Sequence, residues 1–394
     1  MIKHFSDSVI YIGTDDLSGE RFENQYSVPE GISYNSYLIK DDKTAILDSC
    51  DERTAAQWRS NLEEALGGAE PDYFVLHHLE PDHSSQIAWL LERYPGLKLV
   101  ASAKCIAMIP QFFEDIDLDG RTLAIKEGDV LELGKHSLRF FLAPMVHWPE
   151  VAVSYEQSEK LLFSADAFGK FGALGKCGYT SEEDDDWACE ARRYYFNIVG
   201  KYGGPVQTLL KKLSALEVSS ICPLHGPVLV SNLEYYLNLY NIWSSYGVET
   251  EGVFVACASI HGGTLKAAEK FAGMLRERGV KVAFNDLTRD DAAEAVEDAF
   301  RYGTLVLAAS SYDAGLFPPA EEFIRHLQAK SWQNRRVGLI ENGSWAPTAG
   351  RVMKEMFAGM KNVEVLEPMV SLRSTLKSTD IPALESLAEA VISR

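Results

Sequence analysis

The chain has 394 residues, enough for two domains that each bury a core of their own. Its 57 acidic residues against 38 basic ones leave a formal net charge of −19, which argues against nucleic acid or an anionic membrane as the main partner. Six cysteines are scattered with no C-x-x-C pair, which excludes a rubredoxin-like iron module, a zinc ribbon and a secreted disulfide framework. With no apolar core behind Lys3 and no apolar run of membrane-spanning length, a soluble, reduced, cytoplasmic protein is expected.

Residues 9–13, 34–39 and 44–48 are short apolar pieces separated by Gly and Asp-Asp-Lys turns, which predicts antiparallel strands. Residues 52–66, rich in Ala, Glu, Leu and Arg, predict a helix stopped by Gly67-Gly68. The run Tyr73-Phe74-Val75-Leu76 then reads as a buried strand and opens directly onto His77-His78-Leu79-Glu80-Pro81-Asp82-His83. Five of those last seven side chains can bind a metal. Four donors in the six residues H-x-E-x-D-H are too many for one ordinary site and suit two adjacent metals. The plain alternative is a polar loop with a helix-capping Asp82 and solvated histidines.

A helix is expected over residues 87–94, closed by Pro95-Gly96, followed by strand pairs from 98 to 141 with turns at Glu127-Gly128-Asp129 and Leu133-Gly134-Lys135. This makes an αβ half with a mostly antiparallel, two-sided sheet. Three further apolar strands each end on one ligand-type residue in a Gly- or Pro-containing loop: 138–146 at His147, 160–165 at Asp166, and 219–224 at His225. A single histidine of this kind is more often a hydrogen-bonded structural residue; repetition after H-x-E-x-D-H reverses that weighting. The acidic run 182–186 reads as a solvated loop. Residues 191–197 are helical and aromatic, and one of their tyrosines, Tyr195 by choice, is expected over the metals as a proton or hydrogen-bond donor, core packing being the alternative. An aromatic amphipathic helix at 233–246 and a linker at 247–252 complete this half.

Past Gly252 the texture becomes βαβ. A buried strand at 253–258 runs into Ser259-Ile260-His261-Gly262-Gly263-Thr264, followed by a helix with Leu265, Ala268, Ala272 and Leu275 on its apolar face. A hydroxyl- and glycine-rich loop between strand and helix is an anion cradle, and it carries neither G-x-G-x-x-G nor a Walker lysine. Two more strands end in Ser310-Ser311-Tyr312-Asp313-Ala314-Gly315 and in Asn342-Gly343-Ser344-Trp345-Ala346. Three small-residue loops at the C-terminal ends of an open parallel sheet stand where such sheets bind ligands.

The strand-end ligands of the first half resemble the metallo-β-lactamase fold, an αββα sandwich whose hydrolases usually carry H-x-H-x-D-H and hold zinc. Here Glu80 stands in place of the second histidine. That gives each metal two histidines and one carboxylate: His78, His147 and Glu80 for one, His83, His225 and Asp82 for the other, with Asp166 as bridge. Such coordination with open positions suits non-haem Fe(II). The loops of the second half resemble flavodoxin, a doubly wound parallel sheet, with the FMN phosphate in the first loop and Tyr312 and Trp345 as candidate stacking residues.

In combination, residues 1–250 as the metal domain and 251–394 as the FMN domain, the chain resembles a flavodiiron protein over essentially its whole length. The resemblance implies two Fe and FMN as cofactors, and reduction of O2 to water, of NO to N2O, or of both. It implies a head-to-tail homodimer or a dimer of dimers. The chain ends at Arg394 without an added rubredoxin or flavin-reductase module, so the expected electron donor is external: a rubredoxin-like protein, a flavin reductase or a reduced cofactor. The rival readings are a diiron O2/NO sensor and a zinc-dependent lactamase-like hydrolase. The sequence does not choose between O2 and NO.

Overall fold

The computed structural model describes residues 2–393. They divide into two compact units: residues up to Tyr195 together with Gly204–Tyr240, and Phe196–Gly203 together with residues from Asn241 onward. No helix among the described residues is long and apolar enough to cross a membrane.

In the first unit a seven-stranded sheet runs in the order Lys3–His4, Val9–Tyr11, Tyr37–Ile39, Ala45–Leu47, Tyr73–Val75, Lys98–Ser102, Thr122–Ile125. Its first three pairings are antiparallel and its last three parallel, so the sheet is mixed rather than mostly antiparallel. Parallel neighbours need crossovers. These are Ala55–Leu66, Ile87–Arg93 and a third helix, Ala103–Met108, where strand pairs alone were expected. Ala55–Leu66 buries Trp58, Asn61, Leu62, Ala65 and Leu66 along one stripe and ends at Gly67, whose φ of 61° is the left-handed cap glycine tolerates best.

A five-stranded sheet pairs Val130–Glu132, Ser137–Leu142, Ala152–Glu156 and Leu161–Phe163 antiparallel and closes with Ser220–Cys222 in parallel. Residues of both sheets share one core, with Tyr37, Leu47, Val75 and Val100 of the first packed among Leu138, Phe140, Phe163 and Cys222 of the second. The acidic run is only partly solvated. Glu182, Glu183, Asp185 and Asp186 are exposed, but the Asp184 side chain is 6% exposed and paired at 2.6 Å with the equally buried Lys170. The lysine lies far enough along the sequence that only the folded chain reveals it as a partner.

The second unit carries a parallel sheet in the spatial order Val282–Asp286, Thr250–Ala258, Tyr302–Tyr312, Arg335–Asn342, Val363–Val365. Numbered along the chain this is 2-1-3-4-5, the flavodoxin-like winding, with its switch point between Thr250–Ala258 and Tyr302–Tyr312. The first strand begins at Thr250, inside the stretch expected to be a linker. Helices Gly263–Glu277, Ala292–Arg301, Pro318–Ala329, Ala349–Ala358 and Ile381–Ile392 alternate with the strands.

Candidate metal centre and cofactor cleft

His78, Asp166 and His225 sit just past strand ends, whereas His147 lies in a turn beyond Ser137–Leu142, a strand that stops short of the expected 146. His78 follows Tyr73–Val75, and Glu80 precedes a short helix, Pro81–Ser84, that carries Asp82 and His83. Pro81 at the first helical position fixes that turn without losing a needed donor. Asp166 follows Leu161–Phe163, and His225 follows Ser220–Cys222. The two loops lie against each other, because the Leu224 N–H donates to the Ala165 carbonyl and the Lys170 N–H to the His225 carbonyl. Gly226, at φ 78°, has no room for a Cβ: one would sit 2.5 Å from Cγ of Lys170.

The side chains form two groups, His78, Glu80, His147 and Asp166 in one, Asp82, His83 and His225 in the other. Asp166 serves both. Its Oδ2 lies 3.3 Å from His78 Nε2 and 3.2 Å from His147 Nε2, while its Oδ1 lies 3.3 Å from His83 Nε2 and 3.6 Å from His225 Nε2. Glu80 Oε2 closes the first group at 3.1 Å from His78 Nε2 and 3.0 Å from His147 Nε2.

Two of the imidazoles are aimed from behind. Glu150 Oε1 accepts from His78 Nδ1 at 2.8 Å, and the Ser33 carbonyl accepts from His225 Nδ1 at 2.7 Å. Each bond leaves the Nε2 lone pair directed at the carboxylates, the arrangement that orients metal-ligating histidines. Sequence reasoning missed Glu150, although its position three residues after His147 was a usable signal.

The donor set fits metal cations. Both oxygens of Asp82, both of Asp166, both ring nitrogens of His83 and Nε2 of His225 are buried with no hydrogen-bond partner. Orphaned buried donors and acceptors of this number are costly unless something else binds them. The electrostatics agree: burial pushes the Asp82 carboxyl up to about 7, and burial followed by the neighbouring His83 pulls the His225 imidazole down to about 4. A cation between them replaces the protons these groups otherwise compete for.

Aromatic rings wall the His225 side. Phe22, Tyr34 and Tyr194 lie with ring centroids 5.3, 5.8 and 5.4 Å from that of His225. The Tyr194 hydroxyl is buried and has no hydrogen-bond partner. Tyr195 instead opens a π-helical turn, Tyr195–Val199, with its ring edge-on to Tyr240 at 5.1 Å. Adjacent helical residues point about 100° apart, so the two tyrosines have different surroundings.

In the second unit the three small-residue loops line one cleft of about 580 Å³. All residues expected there line it except Gly262 and Gly315, and Thr348 and Ser374 join them. Buried hydroxyls tie the loops together: Thr264 and Ser310 are 2.8 Å apart, and Asn342 Nδ2 donates to Thr264 Oγ1 at 3.1 Å. Trp345, 88% exposed, and Tyr312, 45% exposed and with its ring centroid 5.7 Å from that of Phe317, stand on the rim. The cleft fits a flavin: Gly262 in the left-handed region at φ 83° opens a 15-residue helix at a phosphate-sized turn, and two aromatics are free to stack. Gly263→Ala tests the cradle, since a Cβ there would collide with the Ser374 carbonyl oxygen. A flavin fluorescence titration should give affinity weakened by about 10- to 100-fold, with metal content unchanged.

Fold and donors together define a lactamase-like domain with two adjoining groups of candidate metal donors, followed by a flavodoxin-like domain. Residues 32–226 match the model of the ODP family beta lactamase. A putative diflavin flavoprotein A 2 of Synechocystis is 26% identical over 377 residues, which cover 93% of this chain and 62% of that protein. An anaerobic nitric oxide reductase flavorubredoxin of Aliivibrio fischeri is 26% identical over 88% of this chain and 70% of its own length. The structure of rubredoxin oxygen:oxidoreductase from Desulfovibrio gigas superposes with a TM-score of 0.92 at 22% identity, covering 99% of this chain and 98% of that one. Over nearly its whole length the chain is similar in sequence to diflavin flavoproteins and flavorubredoxins, and in fold to rubredoxin oxygen:oxidoreductase.

Proposed function

We propose that this protein is a flavodiiron oxidoreductase that reduces O2 to water, NO to N2O, or both, at two non-haem irons, with electrons delivered through FMN from an external donor. One observation carries this reading: the two oxygens of Asp166 face separate groups of donors, each with two histidines and one further carboxylate. Two-histidine-one-carboxylate sites with open positions suit Fe(II) that binds a diatomic gas. Residues 1–250 are assigned to the iron half and 251–394 to the FMN half.

His78, Glu80 and His147 would hold one iron, Asp82, His83 and His225 the other, and Asp166 would bridge. Bound there, the irons supply gas-binding positions and reducing equivalents, which FMN renews. Glu80, Asp82 and Asp166 supply three negative charges that offset most of the metal charge in a buried site. Glu150 and the Ser33 carbonyl hold the rings of His78 and His225 in one tautomer each. The role expected of Tyr195 falls to Tyr194, whose ring lies against His225. A phenol remains protonated at neutral pH, so its buried hydroxyl is a donor for a gas on that side. In the FMN half, the first loop takes the phosphate and Tyr312 and Trp345 flank the ring system.

Tyr194→Phe should lower turnover by about 100-fold with iron and flavin content intact, if the hydroxyl delivers a proton in the slow step. Steady-state gas consumption by a gas-sensitive electrode reads it, and unchanged turnover would assign the residue to packing alone.

We further infer a head-to-tail homodimer, as the family resemblance implies, and an electron donor of the rubredoxin-like, flavin-reductase or reduced-cofactor class. The six cysteines form no disulfide and four of them are buried, which supports a reducing, cytoplasmic setting. The deciding experiment is anaerobic stopped-flow mixing of the reduced protein with O2 and with NO, following flavin absorbance and analysing products. Fast flavin oxidation giving water or N2O is the expected result. If neither gas reoxidised the flavin, the redox reading would fail and a sensor or a zinc hydrolase would take its place.

A further inference from the structure

One histidine of the H-H-x-E-x-D-H run is absorbed by neither metal group. His77 is 1% exposed and sits in a hydrogen-bonded line with two equally buried side chains: Nδ1 lies 2.5 Å from Asp48 Oδ2, and Nε2 lies 2.8 Å from Ser154 Oγ. The order Asp, His, Ser is that of a hydrolase triad, but Ser154 is completely buried in mid-sheet, paired in register with Phe140 and Phe163. No substrate reaches such a serine, so the line has another use.

Its geometry shows which. Asp48, just past Ala45–Leu47 of the first sheet, also accepts the His77 backbone N–H at 2.8 Å. Ser154 belongs to Ala152–Glu156 of the second sheet, and the His77 carbonyl accepts from the Ala152 N–H of the same strand at 3.0 Å. His77 is therefore bolted to both sheets, by ring and by backbone, immediately before the ligand His78. Two residues before Ala152, Glu150 accepts from the His78 ring and from the Leu79 N–H. Glu150 in the turn before the strand, through its carboxylate, Ala152, through its N–H, and Ser154, through its hydroxyl, together grip residues 77–79. That segment is the one into which the His147 loop runs.

We propose that His77, with Asp48 and Ser154, is a positioning device that sets His78 against His147, whose ring centroids are 5.1 Å apart, and thereby tunes the metal position formed by His78, Glu80 and His147. The proposal rests on the reading that this group holds iron. In the tautomer that gives Nδ1–H to Asp48, Nε2 accepts the Ser154 hydroxyl proton, so every polar atom of the line is satisfied and the ring cannot turn. Losing either end frees the peptide that launches His78. Asp82 and His83 sit on the next turn, Pro81–Ser84, where Ser49 holds the His83 carbonyl by both its N–H and its hydroxyl, and His225 comes from another loop, so that group should be affected less.

The test is graded anaerobic chelation of the iron-loaded, full-length protein, with iron remaining per chain measured by metal analysis and flavin absorbance as the internal count of protein. The wild type should hold two irons, and a wild type that held none would undo the iron reading before any variant was examined. His77→Leu and Ser154→Ala should each surrender one iron at chelator concentrations about 10- to 100-fold lower than wild type, with the other retained at the wild-type concentration. His77→Gln, which keeps an amide donor for Asp48, should fall between. Release of both irons in parallel overturns the proposal, as does a lowered unfolding temperature with unchanged iron retention, since the line would then only tie the sheets together. Should His77→Leu not fold, Ser154→Ala, which removes a single oxygen, decides the matter alone.

Discussion

Asp166→Asn is expected to leave the fold and the flavin in place, to reduce iron from two per chain to one or none, and to lower gas reduction by about three orders of magnitude. The substitution keeps the shape and removes the charge. Four histidine Nε2 atoms lie 3.2 to 3.6 Å from the two carboxylate oxygens, so an amide would turn a donor toward one pair where both pairs now meet acceptors. A metal site supplies several kcal/mol of stabilisation to the reacting centre, and each 1.4 kcal/mol is a factor of about ten in rate. Metal analysis and stopped-flow oxidation of the same sample measure both effects. Full iron occupancy in this variant would mean that the two groups bind independently, and Asp166 would lose its place as the bridge.

The largest stability effect is expected away from the ligands, at Lys170 and Asp184. Their side chains are 4% and 6% exposed and 2.6 Å apart. Lys170→Met strands a buried carboxylate and Asp184→Asn a buried ammonium, so each single change should cost about 3–5 kcal/mol. The double change Lys170→Met with Asp184→Leu should recover most of the loss, because two apolar side chains of similar volume need no solvation. Urea unfolding followed by tryptophan fluorescence reads the difference. The pair also braces the site: the stem of Lys170 fills the space beside Gly226, and its backbone holds the His225 loop. Iron retention should therefore weaken with the singles and return with the double. Equal stability of singles and double would show the pair to be well hydrated despite its burial.

The residue types of the centre were legible because metal chemistry restricts them to a few side chains and strand-end loops give them a recognisable rhythm. His78, Glu80, Asp82 and His83 announce themselves by spacing alone, and His147, Asp166 and His225 by repeating the strand-then-ligand pattern. The small-residue loops of the second half were legible for a related reason, since close backbone approach to a ligand leaves little but Gly, Ser, Thr and Ala at those positions. The mixed first sheet was misread because parallel and antiparallel strands share the same apolar alternation. The helix Ala103–Met108, too short to signal itself, lies in its last crossover.

What the sequence determined by itself, then, is the inventory: which side chains can bind metal, in which loops, and a βαβ half able to hold a phosphate. What only the tertiary structure decided is everything set by direction and by distant partners. Tyr194 rather than Tyr195 meets His225, because helical phase is fixed by packing. Asp184 leaves a charge run to pair with Lys170, and Glu150, Ser33, Asp48 and Ser154 become the supports of the histidines. Such supports are ordinary polar residues whose meaning comes from the 2.5–2.8 Å contacts they make across the fold, and contacts between residues far apart in the chain leave no local pattern to read.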